Sequence, residues 1–331
     1  MLVSWNTTNQ CNLYCEHCYR DAGNVMQAEL DSGEARQLIK DIKKAGFKIM
    51  IFSGGEPLMR PDIYELISFA SSQGLRAVLG SNGTLIDART ARMLKESGIM
   101  AAGISLDSLD ESKHDAFRGL ARASEMTMEG IKHLKEAGIP FQIHTTVMDW
   151  NSSELEAITD LAIGIGAIAH HVFFLVPTGR GADIEQEALR VAEYEKTIAR
   201  LMNKQKTVPI EIKPTCAPQF IRVADKKGIP MRFSRGCLAG ISYCIINPRG
   251  DVQPCAYLDM PLGNVRETPF DVIWRENPMF NALRTLEYEG KCGQCDYKER
   301  CGGCRARAYY YSGGNYMAED QWCLYKAPER Q

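Results

Sequence analysis

This chain of 331 residues lacks several features that would direct it to whole classes of function. No uncharged apolar run approaches the roughly 18 residues that a membrane helix needs, so no span is expected. The opening MLVSWNTTNQ has no positive segment followed by an apolar one, so no secretory signal is read there. Neither sign of charge is in excess. With 39 Lys+Arg against 41 Asp+Glu and a net charge of −2, a generally basic nucleic-acid binder is not expected. A cytoplasmic globular protein is the resulting expectation, and 45% hydrophobic with 24% charged residues suits a packed core rather than disorder.

A further absence is local. The chain holds 12 cysteines, yet none lies between Cys18 and Cys216. Three stand together at Cys11, Cys15 and Cys18; the others are Cys216, Cys237, Cys244, Cys255, Cys292, Cys295, Cys301, Cys304 and Cys323. In a reducing compartment such usage argues for metal or redox chemistry rather than disulfides. The gap divides the chain into two expected domains, residues 1–213 and 214–331, with separate metal business.

The cysteine-free middle has a rhythm. Helical patterns end in Gly46, Gly74, Gly98, Gly138 and Gly166, and each passes into an apolar strand. Glycine just past a helix is the expected left-handed cap. Asp31, with Glu34 three residues on, reads as a capping box. Together with an opening strand at Leu2–Thr8 this gives six strands alternating with helices, hence an α/β fold with a parallel sheet, curled or open. After each strand comes a polar or glycine-rich cluster: Cys11–Cys18, Ser53–Pro57, Ser81–Thr84, Ser105–Ser108, Thr145–Asp149 and Pro177–Gly181. Ligand sites of parallel α/β folds lie at that carboxyl edge.

Cys11-x3-Cys15-x2-Cys18 offers three thiolates within eight residues. A structural zinc wants a fourth ligand from elsewhere. A cubane of four irons held by three cysteines leaves one iron open for a substrate or cofactor. This trio after the first strand, with Gly54-Gly55-Glu56-Pro57 after the second, resembles the radical S-adenosylmethionine (SAM) superfamily over residues 1–185. The resemblance implies a partial (β/α)6 TIM barrel, a 4Fe-4S cluster whose open iron binds SAM, and reductive cleavage to a 5′-deoxyadenosyl radical. It implies that Gly54 and Gly55, with Glu56 and Pro57, receive the methionine amino group. It also implies that Asn82 and Ser105 lie by the ribose or carboxylate, that Arg118 forks onto the SAM carboxylate, and that Leu175 and Val176 lie against adenine. His17 takes a place where the family usually has an aromatic residue, and an imidazole can still stack.

Cys292-x2-Cys295-x5-Cys301-x2-Cys304 followed by Cys323 would, in isolation, also suit a zinc ribbon. With Cys237 and Gly250-x4-Cys255 upstream, the ordered set resembles the SPASM extension of radical SAM enzymes. That resemblance implies two auxiliary 4Fe-4S clusters, one on Cys237, Cys244, Cys255 and Cys304, the other on Cys292, Cys295, Cys301 and Cys323. Cys216 is left over, as a substrate-side residue, an alternative ligand or a buried thiol. The last cysteine pair has two intervening residues where the family usually has three.

The segments Ser4–Gly23 and Cys301–Ala308 resemble most the radical SAM enzymes of the alternative haem pathway. The resemblance implies oxidative decarboxylation of Fe-coproporphyrin III propionates to the vinyl groups of haem b. Acetate removal from 12,18-didecarboxysiroheme and modification of a ribosomally made peptide are the alternatives within enzymes; a zinc-stabilised binding protein is the alternative outside them. Leader-reading peptide maturases usually carry a domain before the barrel, and a trio beginning at residue 11 leaves none expected. The implied partners are an iron porphyrin or other tetrapyrrole and a low-potential donor such as a ferredoxin or flavodoxin. Residues 214–331 carry 16 Lys+Arg against 13 Asp+Glu, whereas residues 1–213 carry 23 against 28. Basic groups suit a carboxylate-rich macrocycle, and the candidates are Arg20, His171, Arg180, Arg305 and Arg307. Adjacent strand residues point to opposite faces, so only one of His170 and His171 is expected to face the barrel interior.

Overall fold

A computed structural model describes residues 1–325; residues 326–331 of the expected C-terminal domain lie outside the described residues. The strands are β1 (Leu2–Asn6), β2 (Ile49–Ser53), β3 (Arg76–Ser81), β4 (Ala101–Ser105), β5 (Phe141–Val147), β6 (Ala169–Phe174), β7 (Glu211–Thr215), β8 (Tyr243–Ile246) and β9 (Val252–Gln253). The helices of the first half are α1 (Ser32–Lys44), α2 (Ile63–Ser72), α3 (Ala88–Glu96), α4 (Glu111–Arg118), α5 (Ala123–Glu136) and α6 (Leu155–Ile165). Those of the second are α7 (Val191–Gln205), α8 (Phe220–Lys226), α9 (Phe270–Glu276), α10 (Pro278–Thr285), α11 (Gly290–Gln294) and α12 (Arg305–Tyr311). No helix among the described residues is long and apolar enough to cross a membrane.

All six expected strands are present, and they alternate with helices as the glycine rhythm requires. Gly46 and Gly166 stand at φ +85° and +93°, where a side chain would be strained, and each turns a helix end into the next strand. The capping box at the start of α1 is formed, Asp31 accepting from the Glu34 backbone while Glu34 accepts from that of Asp31.

One sheet runs in the order β7-β6-β5-β4-β3-β2-β1-β8-β9. The pairings from β7 to β8 are parallel and only β9 runs antiparallel to its neighbour. The expected boundary at residue 213 falls inside β7, and β8, from the C-terminal region, pairs with β1. The second region therefore completes the sheet of the first. A gap in cysteine usage marks where metal chemistry changes, not where hydrogen bonding stops.

The helix-facing residues of the strands fill the main core. Val3, Met50, Phe52, Leu79, Ala102 and Ile143 are wholly buried against helix residues such as Leu38, Leu66, Leu94 and Ile158. Full burial of such side chains is worth about 1.5–3 kcal/mol each. The opposite face behaves differently. Along β2, β5 and β7, and along β6 from His170 onward, buried residues alternate with half-exposed ones. In a closed barrel the inward side chains fill the centre as a packed core. Here Ile51, Ser53, Gln142, His144, His171, Phe173 and Lys213 remain half-exposed, so the curled sheet surrounds an open, largely polar lumen.

Candidate functional site

The loop leaving β1 carries the first three cysteines and is tied down from all sides. The Gly55 N–H donates to the Thr8 carbonyl at 2.8 Å, and the Glu56 N–H donates to the Gln10 carbonyl at 2.8 Å. The loops approach so closely that a Cβ on Gly55 would lie 2.3 Å from the Gln10 oxygen. The paired glycines are thus needed for loop-to-loop contact. Among the described residues the Gly54 and Gly55 carbonyls accept no hydrogen bond, so what this rim offers a ligand is acceptors, as an amino group requires.

Glu56 does not face outward. Its carboxylate is wholly buried and accepts from the Ser81 hydroxyl at 3.0 Å, the Asn82 N–H at 2.9 Å and the Leu58 N–H at 3.2 Å. Burial raises its pKa to about 7. The side chain therefore braces the loops after β2 and β3, and Pro57, itself buried, begins the single turn that follows. Asn82 is likewise spent: its amide donates to Asn12 at 3.0 Å, and its oxygen accepts from Thr84. It steadies the cysteine loop through Asn12. Ser105 is half-exposed at the end of β4, and its hydroxyl has no hydrogen-bond partner among the described residues.

Arg118 departs from its expected role. Its Nε donates to Asp107 at 2.6 Å, its Nη2 pairs with the same carboxylate at 2.6 Å, and its Nη1 reaches Cys15 Sγ at 3.8 Å. The fork is filled by a wholly buried carboxylate of the protein itself, and the Arg118 guanidinium holds Asp107 below the usual carboxylate range. Arg180 also differs from expectation. Its Nε donates to the Cys15 carbonyl at 2.9 Å, while Nη1 engages Asp21 at 2.6 Å and the Ala22 carbonyl at 2.9 Å. It straps the cysteine loop rather than reaching for a substrate. Arg20 donates to Gln253 at 2.5 Å, joining that loop to β9. His17 stacks on Phe117 with ring centroids 4.1 Å apart, and its buried Nδ1 has no partner. Leu175 and Val176 are buried, Val176 beside Cys304 rather than at an open wall.

The donor chemistry around the trio fits an iron–sulfur cluster. Cys11 Sγ accepts from the Leu13 N–H at 3.4 Å, Cys18 Sγ from the Ala22 N–H at 3.4 Å, and Cys15 faces the Arg118 guanidinium. Hydrogen bonds to sulfur stabilise and tune such clusters. Burial pushes the Cys11 thiol up to about 12, so a metal core is what would convert it to a thiolate ligand.

The C-terminal cysteines form two sets. Cys292, Cys295, Cys301 and Cys323 line one small cavity beside Gly302 and Gly303. Cys292 Sγ accepts from the Asp320 N–H and Cys295 Sγ from the Tyr297 N–H, both at 3.4 Å. The other set differs from the expected one. Cys216, Cys255 and Cys304 pack into one cluster with Val176 and Ala306. Gly236 abuts Pro218 so closely that a Cβ would lie 2.6 Å from it, which sets Cys237 beside the Cys216 segment. Burial drives the Cys216 thiol well up, and the sulfurs of Cys304, Cys255 and Cys237 add to it. Cys244 is elsewhere. In register with Val3, it is wholly buried in the apolar core on the helix side of the sheet. Strand alternation explains this, since its neighbour Tyr243 points the other way, where the Cys255 sulfur adds to the rise of its phenol.

Arg305 and Arg307 are interior groups, not basic contacts for a substrate. Arg305 donates to the Tyr316 and Ala318 carbonyls at 3.0 and 2.8 Å and reaches Cys292 Sγ at 3.8 Å. Arg307 Nε and Nη2 pair with Asp320 at 2.9 and 2.8 Å, both residues being wholly inaccessible. Asp320 also accepts from the Cys304 N–H at 2.8 Å and from Gln219 at 2.8 Å. This aspartate, which the sequence did not single out, thereby touches both cysteine sets. Only its isolation among cysteines near the C-terminus could have drawn attention to it.

Comparison with known families and structures follows the same division. Residues 5–162 match the model of the radical SAM superfamily, and residues 237–305 match the SPASM iron–sulfur cluster-binding domain. The chain is 45% identical to an AdoMet-dependent heme synthase of Nitratidesulfovibrio vulgaris, over 98% of this chain and 92% of that protein. It is 41% identical to an AdoMet-dependent heme synthase of Methanosarcina barkeri, covering 98% and 96%. A Fe-coproporphyrin III synthase of the same archaeon is 31% identical, covering 97% and 87%. Streptococcus suis SuiB, solved with bound S-adenosylmethionine, shares the fold at TM-score 0.77 and 17% identity, covering 98% of this chain and 77% of that one.

Removing the Asp320 carboxylate leaves Arg307 charged and unpaired in the interior, a change that costs about 3–5 kcal/mol. Denaturant unfolding of cluster-free Asp320→Ala should show that loss. A loss under about 1 kcal/mol, the scale of an exposed pair, would contradict the structural role assigned here.

Proposed function

This chain belongs to the radical SAM superfamily, in the branch that carries a SPASM iron–sulfur domain, and from that premise we propose that it makes haem by oxidative decarboxylation of two propionates of Fe-coproporphyrin III. The observation that carries the reading is similarity along the whole chain: 45% to a heme synthase against 31% to a Fe-coproporphyrin III synthase. We further propose that Cys11, Cys15 and Cys18 hold the SAM-binding cluster, Cys216, Cys237, Cys255 and Cys304 one auxiliary cluster, and Cys292, Cys295, Cys301 and Cys323 the other. Bound there, SAM and the clusters supply a 5′-deoxyadenosyl radical and an acceptor for one electron.

The rest falls to the protein. The Gly54 and Gly55 carbonyls receive the amino group of SAM, and the brace of Glu56, Ser81 and Asn82 fixes those loops. His17, stacked on Phe117, offers an aromatic face beside Cys18. The open lumen receives the macrocycle and orients its reacting carbon toward the radical. Loss of a hydrogen atom from the carbon β to a carboxylate, then of CO2, leaves one surplus electron for each vinyl group formed. A ferredoxin or flavodoxin suits as donor, since SAM cleavage starts from a reduced, low-potential cluster. None of the 12 cysteines is paired in a disulfide, which suits a reducing, cytoplasmic setting.

Anaerobically reconstituted protein given SAM, a low-potential reductant and Fe-coproporphyrin III should yield haem b, identified by mass. SAM cleavage without any loss of CO2 from the porphyrin would refute the substrate. The ligand sets make a separate prediction. Reconstituted Cys216→Ser should lose about four irons per chain, one cluster, whereas Cys244→Ser should lose none. Full iron in Cys216→Ser would return Cys244 to the set.

A further inference from the structure

The lumen wall carries a row of nitrogen-bearing side chains that the cluster sites do not use. His144 of β5 is in register with His171 of β6, and His171 with Lys213 of β7. All three are on the half-exposed face, so they form one layer across three neighbouring strands. The rings of His144 and His171 lie parallel, with centroids 5.3 Å apart and planes 6° from each other. Room for this is made on β4, where a Cβ on Gly103 would lie 2.3 Å from His144 Cε1. His144 Nε2 is engaged by the Gln142 amide at 2.9 Å.

The two adjacent histidines of β6 differ in a way that separates a structural group from an available one. His170 faces the helices, is wholly buried, and has both ring nitrogens partnered, by the Thr159 and Thr145 hydroxyls at 2.9 and 3.0 Å. His171 faces the lumen, and among the described residues neither of its nitrogens is hydrogen-bonded. His171 is half-exposed and its nitrogens are not spent within the fold, so this imidazole on the lumen wall is a group poised for a ligand. Burial and the neighbouring His144 and Lys213 hold His171 unprotonated, which leaves its lone pair free. Lys213 lies 3.8 Å over the Phe233 ring and is in no ion pair among the described residues. A neutral nitrogen donor beside an unpaired ammonium matches a ligand that carries both a Lewis-acidic metal and carboxylates.

Resting on the reading above, we propose that His171 supplies an axial nitrogen to the iron of the substrate macrocycle while Lys213 pairs with one of its carboxylates. The layer then fixes both the height and the rotation of the ring in the lumen, one contact at its centre and one at its edge. His144 packs against His171 and limits how that ring can turn.

Binding of ferric coproporphyrin III and of iron-free coproporphyrin III to the holoenzyme, without SAM or reductant, tests this. The native protein should bind the iron form at least about tenfold more tightly, a difference of about 1.4 kcal/mol. His171→Ala should lose that preference, and the low-spin ferric signal of the bound iron porphyrin, while retaining its cluster iron. Lys213→Met should weaken both forms by the same factor and leave the preference intact. Tight binding of both forms without preference, or an unchanged preference in His171→Ala, would overturn the axial assignment and leave the proposed reaction standing. Failure of the native protein to bind either porphyrin would overturn both.

Discussion

The attachment of the β1 loop to its neighbours is the constraint from which the rest of the site follows. Backbone bonds from Gly55 and Glu56, the Asn82–Asn12 contact, the Arg118 contact with Cys15 and the Arg180 strap all converge on residues 8–22. They originate after β2, β3, β4 and β6, so the carboxyl edge of the sheet acts as one clamp. A reactive centre that generates a radical must be held before its substrate arrives, and here the holding is done by main-chain geometry and buried charge. The cost of burying Glu56 and the Asp107–Arg118 pair is offset by full hydrogen bonding of the carboxylates.

The second region is joined to this clamp rather than appended to it. Its strand β8 flanks β1, Arg20 crosses to Gln253, and Tyr19 packs on Tyr257 with centroids 5.3 Å apart. The tyrosine contact lies between the Cys18 loop and the set containing Cys255, and each sulfur influences Tyr19. Asp320 and Arg307 tie that set to the Cys292 set. The three cysteine sites thus stand on one continuous frame, which suits chemistry in which an electron must leave the substrate as a bond forms.

Much of this was legible in the residues, for physical reasons. Each glycine after a helix demanded a left-handed turn, so the rhythm of the first half read directly as strand and helix. Three cysteines in eight residues after a strand had one economical use. What was hidden depends on which way a side chain points. Cys244 and Cys216 are equivalent as letters, but strand alternation turns Cys244 into the core while the loop after β7 leads Cys216 to Cys255 and Cys304. Arg305 and Arg307 read as candidate contacts for a carboxylate-rich substrate because their partners, two carbonyls and Asp320, are distant in sequence or indistinct in type. β8 is four residues long within a cysteine-rich stretch, too short for periodicity to announce. His171 was separable from His170 by alternation alone, but its companions His144 and Lys213 come from other strands and needed the register.

The central claim is that the clamp at the sheet edge directs a SAM-derived radical at a propionate of a macrocycle lodged in the lumen. Transfer of label tests it most directly: Fe-coproporphyrin III deuterated at the propionate carbons β to the carboxylates, turned over with unlabelled SAM. The account predicts one deuterium in the 5′-deoxyadenosine formed for each propionate converted to vinyl. Unlabelled 5′-deoxyadenosine accompanying vinyl formation would place the abstraction elsewhere and contradict it.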